Sequence, residues 1–186
     1  MLKQVSEEEI VDGCRRGDAE CFRVLFETYK DRVYSVALRF SGEEALAMDI
    51  AQDTFLKLYS CIGEFRGDSA FLTWVYRLVA NRCMDHRRRS WRMIPMAEEI
   101  VAVLRAPGDA LHNLLHDEMR GQVRGAIEKL PAEQRIVVVL RYTEGLGYEE
   151  IADVLGCSAG TVASRLNRAH KTLERRLSSW KGNRNV

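Results

Sequence analysis

The sequence predicts an all-α protein of two small helical domains joined by a linker, the second domain carrying a helix-turn-helix. Three observations lead there. Apolar residues recur at three- and four-residue spacing along most of the 186 positions, which is the period of helices with one buried face. The one run of β-branched residues, Ile136-Val-Val-Val, lies inside a longer helical pattern and not between turn signals. A middle stretch containing Pro95, Pro107 and Gly108 loses the long-range periodicity, as a linker does. Domains are therefore expected at residues 1–92 and 117–186, with 93–116 as the linker.

Each helix has its own start and stop. Ser6 followed by Glu9 is the capping-box pattern that opens a first helix, and Gly17-Asp18 stops it and caps the next. In the second helix Phe22, Leu25, Phe26, Tyr29, Val33, Val36 and Phe40 make one broad apolar face. Ser41-Gly42 breaks it. A third helix is expected from about Glu43 to Cys61, with Ile50, Phe55 and Leu58 facing in and Asp49, Gln52 and Asp53 on a polar flank. Gly63 to Ser69 reads as a loop, and a fourth helix runs from there to about Trp91. In the second domain Pro131 suits the first turn of a helix from Ala132 to Tyr142, which Gly145 and Gly147 end.

Hydrophobic residues make up 46% of the chain and charged residues 30%, enough apolar material for real cores and too much for disorder. The formal net charge of +1 conceals an uneven distribution. From Thr161 onward Arg165, Arg168, Lys171, Arg175, Arg176, Lys181 and Arg184 face a single acid, Glu174. Arg77, Arg82, Arg87, Arg88, Arg89 and Arg92 likewise face only Asp85, while Glu98, Glu99 and Asp109 give the linker an acidic cast. Such local basic fields point to nucleic acid. No apolar run approaches membrane-spanning length, and Glu7-Glu8-Glu9 stands where a signal peptide would be basic. A cytoplasmic protein is expected. Cys14, Cys21, Cys61, Cys83 and Cys157 show no Cys-x-x-Cys spacing and read as reduced thiols, mostly filling core positions.

Tyr148 to Leu155 makes a short helix, Gly156 permits a tight turn, and Ser158 caps a longer helix. Ala152 is small where two helices must cross closely. Val162, Leu166, Ala169, Leu173 and Leu177 form the buried stripe of the longer helix. Its other face carries Thr161, Ser164, Arg165, Asn167, Arg168 and Lys171, residue types that hydrogen-bond the base edges and phosphates of duplex DNA. Arg176, further along, is expected to attract phosphates. A merely solvated face would also be polar, but not so one-sidedly basic behind a turn glycine and a small crossing residue.

From Phe65 to Arg89 a loop leads into a helix that opens aromatic-rich and closes in arginines, the combination that holds unpaired bases and their phosphates together. Most of these aromatics have a plainer role. Phe71, Trp74, Val75 and Leu78 fall at i, i+3, i+4 and i+7, which is core spacing. Phe65 lies in a glycine-containing loop, outside any helical stripe. Thr73, Arg77, Asn81 and Arg88 share the face turned away from that core, and Asn81 can pair with a base edge. The single-strand candidates are Phe65, Asn81 and the arginines.

Three separated segments resemble the group 4 (extracytoplasmic-function) sigma factors, the dissociable promoter-recognition subunits of bacterial RNA polymerase. Asp49-Ile-Ala-Gln-Asp-Thr-Phe resembles the family's region 2.2, apart from Asp53 where glutamate is usual. Phe65 through Asn81 is similar to its promoter-melting segment. Ile127-Glu-Lys-Leu-Pro and Gly160-Thr-Val-Ala-Ser-Arg-Leu-Asn-Arg-Ala resemble region 4, departing at Ala163 and Asn167, where a basic and a bulkier residue are common. The resemblance implies that Asp49, Gln52 and Asp53 dock on the clamp coiled coil of the polymerase β′ subunit, with region 4 on the β flap. It implies that Phe65, Arg66, Gly67, Asp68, Ser69 and Asn81 accept a flipped minus-ten base, with Arg77, Arg87 and Arg88 beside them on the same DNA. Thr161, Ser164, Arg165, Asn167, Arg168 and Lys171 would read the minus-thirty-five duplex. The linker would thread toward the polymerase active-site cleft. A further implied partner is an anti-sigma factor, commonly membrane-linked; no small-molecule substrate or cofactor is implied.

Two other readings compete. An ordinary helix-turn-helix regulator could share the DNA-binding end, but residues 1–92 show neither the strand–helix alternation of a receiver nor a glycine-rich phosphate loop. An enzyme is disfavoured, because no Ser/His/Asp, Cys/His or paired-acid set stands out. His112 and His116, four apart with Asp117 adjacent, are too few ligands for a stable metal site and read as surface.

Overall fold

The computed structural model describes the backbone of residues 6–93 and 112–182, and the side chains of 6–87 and 119–178. The acids of the linker, and the side chains of Arg88, His112, His116 and Asp117, lie outside what is described. The helices run α1 Glu7–Arg15, α2 Ala19–Ser41, α3 Glu44–Cys61, α4 Phe71–Met93, α5 His112–Glu128, α6 Ala132–Tyr142, α7 Tyr148–Leu155 and α8 Ala159–Gly182, with a 3-10 turn at Ile62–Glu64. Among the described residues there is no strand. The all-α expectation stands.

Local signals place most of the boundaries. The Ser6 hydroxyl accepts from the Glu9 amide at 3.2 Å while the Glu9 carboxylate accepts from the Ser6 amide at 2.9 Å, so two orphan donors of α1 are satisfied together. The Asp18 carboxylate caps α2, accepting from the amides of Glu20 and Cys21 at 2.8 and 3.3 Å. These bonds hold its pKa below the ordinary aspartate value. Pro131 stands one position earlier than expected, as the N-cap of α6. Helix α5 begins at His112, inside the stretch expected as linker and ahead of the start expected near Asp117. After Pro107-Gly108 no breaker stands in its way.

Most of the expected apolar faces are buried, with Leu25, Val33, Val36, Ile50, Phe55, Leu58, Phe71, Val75 and Leu78 in the first half and Ile151, Val162, Leu166 and Ala169 in the second; Phe22, Trp74, Leu173 and Leu177 are half-buried and Phe26 is exposed, at the margins of their faces. These two sets belong to one continuous core, because α6 lies between them. All six residues Arg135–Leu140 are buried. A helix packed on one side would bury a stripe; this one is covered around its girth, by α8 and α7 on one side and by α2 and α4 on the other. That enclosure overrides the β preference of Ile136, Val137, Val138 and Val139.

Polar ties cross the same boundary. The Arg135 guanidinium, 3% exposed, donates to the carbonyl of Phe40 at 2.8 Å and to that of Leu130 at 3.1 Å. Its carbon sits 5.3 Å from the centre of the Phe40 ring. Burial, with the nearby Arg87 charge, pulls its pKa down to about 10. The Tyr76 hydroxyl of α4 donates to Glu144, and Arg77 donates to the carbonyl of Asp153 at 2.9 Å. Gly42 ends α2 with φ +79, and a Cβ there would fall 2.3 Å from a carboxylate oxygen of Glu128 on α5. The left-handed angle favours glycine there, while the Glu128 carboxylate, the free end of a flexible side chain, can move aside for a Cβ.

Candidate polymerase and nucleic-acid interfaces

The outer face of α3 is a mixed patch. Asp49 and Gln52 are exposed, as expected. Asp53 is half-buried and turned toward α4, where its carboxylate lies 3.0 Å from Nε2 of His86. Beside the two exposed polar residues stand Met48, Leu56 and Tyr59, 63%, 61% and 58% exposed. Their spacing along the helix puts them on one side; the Tyr59 ring meets that of Phe22 edge-on at 5.0 Å, and all three stay largely exposed.

The loop between α3 and α4 presents Arg66, Gly67 and Asp68 to solvent, with Ser69 half-buried. Gly67 has φ +81, so the chain turns there without the steric cost a side chain would bring. Phe65 lies outside the helical stripes, yet it is not isolated. Its ring meets Phe71 edge-on at 5.1 Å and Trp74 at 5.4 Å, leaving it half-buried. Arg77 and Asn81 are exposed on α4.

In the second half, Gly156 closes the turn with φ +62 and the Ser158 hydroxyl accepts from the Thr161 amide at 3.2 Å, starting α8 as expected. The Thr161 hydroxyl lies 3.0 Å from that of Ser158. Ser164, Asn167, Arg168 and Lys171 are exposed in a row. Arg168 folds back along its own helix, donating to the Ser164 hydroxyl at 2.9 Å and to the Ser164 carbonyl at 3.3 Å. Arg165 reaches away from that row to Glu133, at 2.9 Å, and approaches the Cys157 sulfur at 3.9 Å. Arg176 donates to the Ala126 carbonyl at 3.2 Å, so it ties α8 to α5, although its place in a basic run suggested a phosphate contact.

Part of each set shares a cleft, while Phe65, Arg66 and Gly67 line a separate hollow against α1. Asn81 and Arg165 line a hollow of about 340 Å³ between α4 and the second half, together with Arg82, Asp85 and Glu133. Arg87, Arg165 and Arg168 line its continuation, about 880 Å³. The arrangement gathers basic and amide side chains suited to phosphates and bases, but turns several of them inward.

The Sigma-70 region 2 family matches residues 25–93 and the Sigma-70 region 4 family matches residues 120–173. The sigma-H factor of Pseudomonas aeruginosa is 34% identical over 95% of this chain and 96% of its own length. The ECF sigma-E factor of Escherichia coli K12 is 32% identical over 95% and 97%. The chain belongs to the ECF sigma factors of the sigma-70 family. Among solved structures, the sigma factor RpoE of Bartonella quintana, in complex with the anti-sigma factor NepR, is 25% identical with TM-score 0.66, covering 84% of this chain and 96% of that one. CnrH, in complex with the cytosolic domain of CnrY, shares the fold at 23% identity and TM-score 0.66 over 91% and 96%.

The sigma factor is thus a transcription-initiation subunit that binds core RNA polymerase and promoter DNA, and the reading as a free-standing helix-turn-helix regulator falls away. Four residues that tie distant parts of the chain together escape sequence reasoning: Arg15, Tyr76, His86 and Arg135. Each acts on a partner 33 or more positions away, and helical periodicity carries no trace of such pairings. His86 was findable in principle, as a polar residue on the inner flank of α4. Of the cysteines, Cys14, Cys61 and Cys83 are buried and Cys21 and Cys157 half-buried, all free thiols. Burial pushes the Cys83 thiol far up, which keeps it protonated. Among the described residues no cluster of three or more His, Cys, Asp or Glu could hold a metal, and no helix is long and apolar enough to cross a membrane.

Proposed function

We propose that this sigma factor works in the cytoplasm through three binding surfaces and carries no catalysis of its own. The α3 face docks on the β′ clamp coiled coil. What supports this is the company that Asp49 and Gln52 keep: exposed Met48, Leu56 and Tyr59 beside a polar rim. That is the make-up of a protein interface and an unfavourable one for bare surface. The loop of Phe65, Arg66, Gly67, Asp68 and Ser69, with Asn81, takes an unstacked minus-ten base, and Arg77, Arg87 and Arg88 bind the DNA around it. The row Thr161, Ser164, Arg165, Asn167, Arg168 and Lys171 reads the minus-thirty-five duplex, while region 4 rests on the β flap.

The two DNA surfaces cannot both be used as they stand. The two promoter elements lie roughly 25 base pairs apart, or about 85 Å of duplex at 3.4 Å per step, whereas Asn81 and Arg165 line one cleft. The domains therefore separate on polymerase, releasing Arg77 from Asp153 and Tyr76 from Glu144. An anti-sigma factor is a fitting partner for the closed form, as the NepR complex of the RpoE relative suggests.

The docking assignment is tested by Asp49→Ala with Gln52→Ala. Loss of two interfacial hydrogen-bonding groups is expected to weaken core polymerase binding roughly 10-fold or more, with the circular-dichroism spectrum unchanged. An intact helical spectrum with wild-type core affinity would remove α3 from the interface.

A further inference from the structure

We propose that Arg15, the last residue of α1, is a positioning residue that sets the promoter-melting loop for base capture by gripping Phe65 at both its backbone and its ring. The proposal rests on the reading that this loop accepts a minus-ten base. It concerns a part of the chain that precedes the region 2 match, which begins at residue 25.

The grip has two jaws. The Arg15 guanidinium donates through Nη2 to the Phe65 carbonyl, and its central carbon stands 6.0 Å from the centre of the Phe65 ring, within the range of a cation–π contact. Its other nitrogen, Nη1, donates to the Asp12 carboxylate at 2.7 Å. Asp12 fixes the direction of the fork, so both contacts on Phe65 are held at once.

The base of the grip is firm. Val11 and Cys14 of α1 are buried, and the Tyr29 hydroxyl of α2 donates to the Glu7 carboxylate at 2.5 Å. The Tyr29 ring in turn lies 5.6 Å from that of Phe71. Beyond the fork the packing stops: a hollow of about 240 Å³ separates α1 from the loop around Phe65 and Gly67. Arg15 therefore bridges a gap and fills no core position; its side chain remains 36% exposed.

One consequence is directional. The Phe65 ring has Phe71 and Trp74 on one flank and the Arg15 cation on another, so its remaining face is presented in one orientation. Stacking of a base on an aromatic ring depends on that orientation, and with it which edge the stacked base presents.

The test uses full-length protein with core polymerase on promoters varied at each minus-ten base. Permanganate reactivity reports opening; core affinity and thermal melting are followed beside it. Arg15→Ala is expected to slow opening roughly 3- to 10-fold, the scale of one charge-assisted contact, and to flatten base preference at one minus-ten position. Core affinity and melting temperature should stay as in wild type. Arg15→Lys keeps a charge near the ring but not the fork, and should recover part of the rate. Phe65→Leu keeps apolar packing, lacks the ring, and serves as the reference. If Phe65→Leu slows opening and Arg15→Ala does not, Arg15 is idle and the base-capture reading survives without it. If neither variant changes opening or preference, that reading itself fails and takes the proposal with it. Loss of core affinity or melting temperature in Arg15→Ala, in proportion to the loss of opening, would make Arg15 structural and overturn the proposal.

Discussion

At the scale of single residues, the arginines expected on DNA already have partners within the protein. Arg168 turns onto Ser164 and Arg165 onto Glu133. The Arg168 contact is exposed, so exchanging it for DNA costs little, whereas the Arg165 side chain is only 21% exposed and costs more to free. Arg168→Ala is expected to cost about 1–3 kcal/mol on the preferred minus-thirty-five duplex and to relax preference at one base pair. Lys171→Ala should weaken all sequences alike and reduce the salt slope by about one. Fluorescence anisotropy of the holoenzyme on duplex variants, at several salt concentrations, separates the two. Equal, sequence-blind losses would deny base reading to Arg168. Arg176 is unsuited as the phosphate control, since its bond to Ala126 makes it part of the α5–α8 contact. Residues of this kind were half legible in the sequence. The period of α4 put Asn81 and Arg77 on an outward face, and both are exposed. That Arg77 ends on a carbonyl 76 positions away follows from tertiary packing, which leaves no local mark.

At the scale of elements, start and stop signals were the most legible part, because a cap is a contact between neighbours in sequence. Ser6, Asp18, Gly42, Gly156 and Ser158 all act within a few residues of themselves. The start of α5 was less so, since it depends on the absence of a breaker and not on a positive cap. Helix α6 shows what periodicity misses. Its unbroken buried run, Arg135–Leu140, resembles a strand locally and becomes intelligible only with helices on every side. Arg135 holds that helix to the end of α2. Arg135→Ala would leave the Phe40 and Leu130 carbonyls without their donor, at about 1–3 kcal/mol for a buried group left unpaired. Faster amide exchange is expected at the C-terminal turn of α2 and along α6. Arg135→Met, which refills the volume without a charge to bury, should recover part of the protection. Exchange unchanged in Arg135→Ala would show that apolar packing alone holds the two halves.

At the scale of the whole molecule, the chain has two domains, region 2 and region 4, whose buried residues pack against each other. In the proposed reading, region 2 supplies a docking face on α3, the Phe65 loop and Asn81 on α4, and region 4 supplies a recognition helix. The same boundary that joins them, Arg77 to Asp153, Tyr76 to Glu144 and Arg135 to Phe40, leaves Asn81 and Arg165 lining one cleft. The proposed function requires a change of arrangement, with polymerase supplying the separation. The measurement that bears most directly on this account is permanganate footprinting of promoter DNA with purified core polymerase and the full-length chain. Minus-ten thymines should become reactive only when both are present, and Asn81→Ala should diminish that reactivity and change the preferred base at one minus-ten position. Opening by core polymerase without the chain, or an Asn81→Ala protein that melts every minus-ten variant as wild type does, would contradict it.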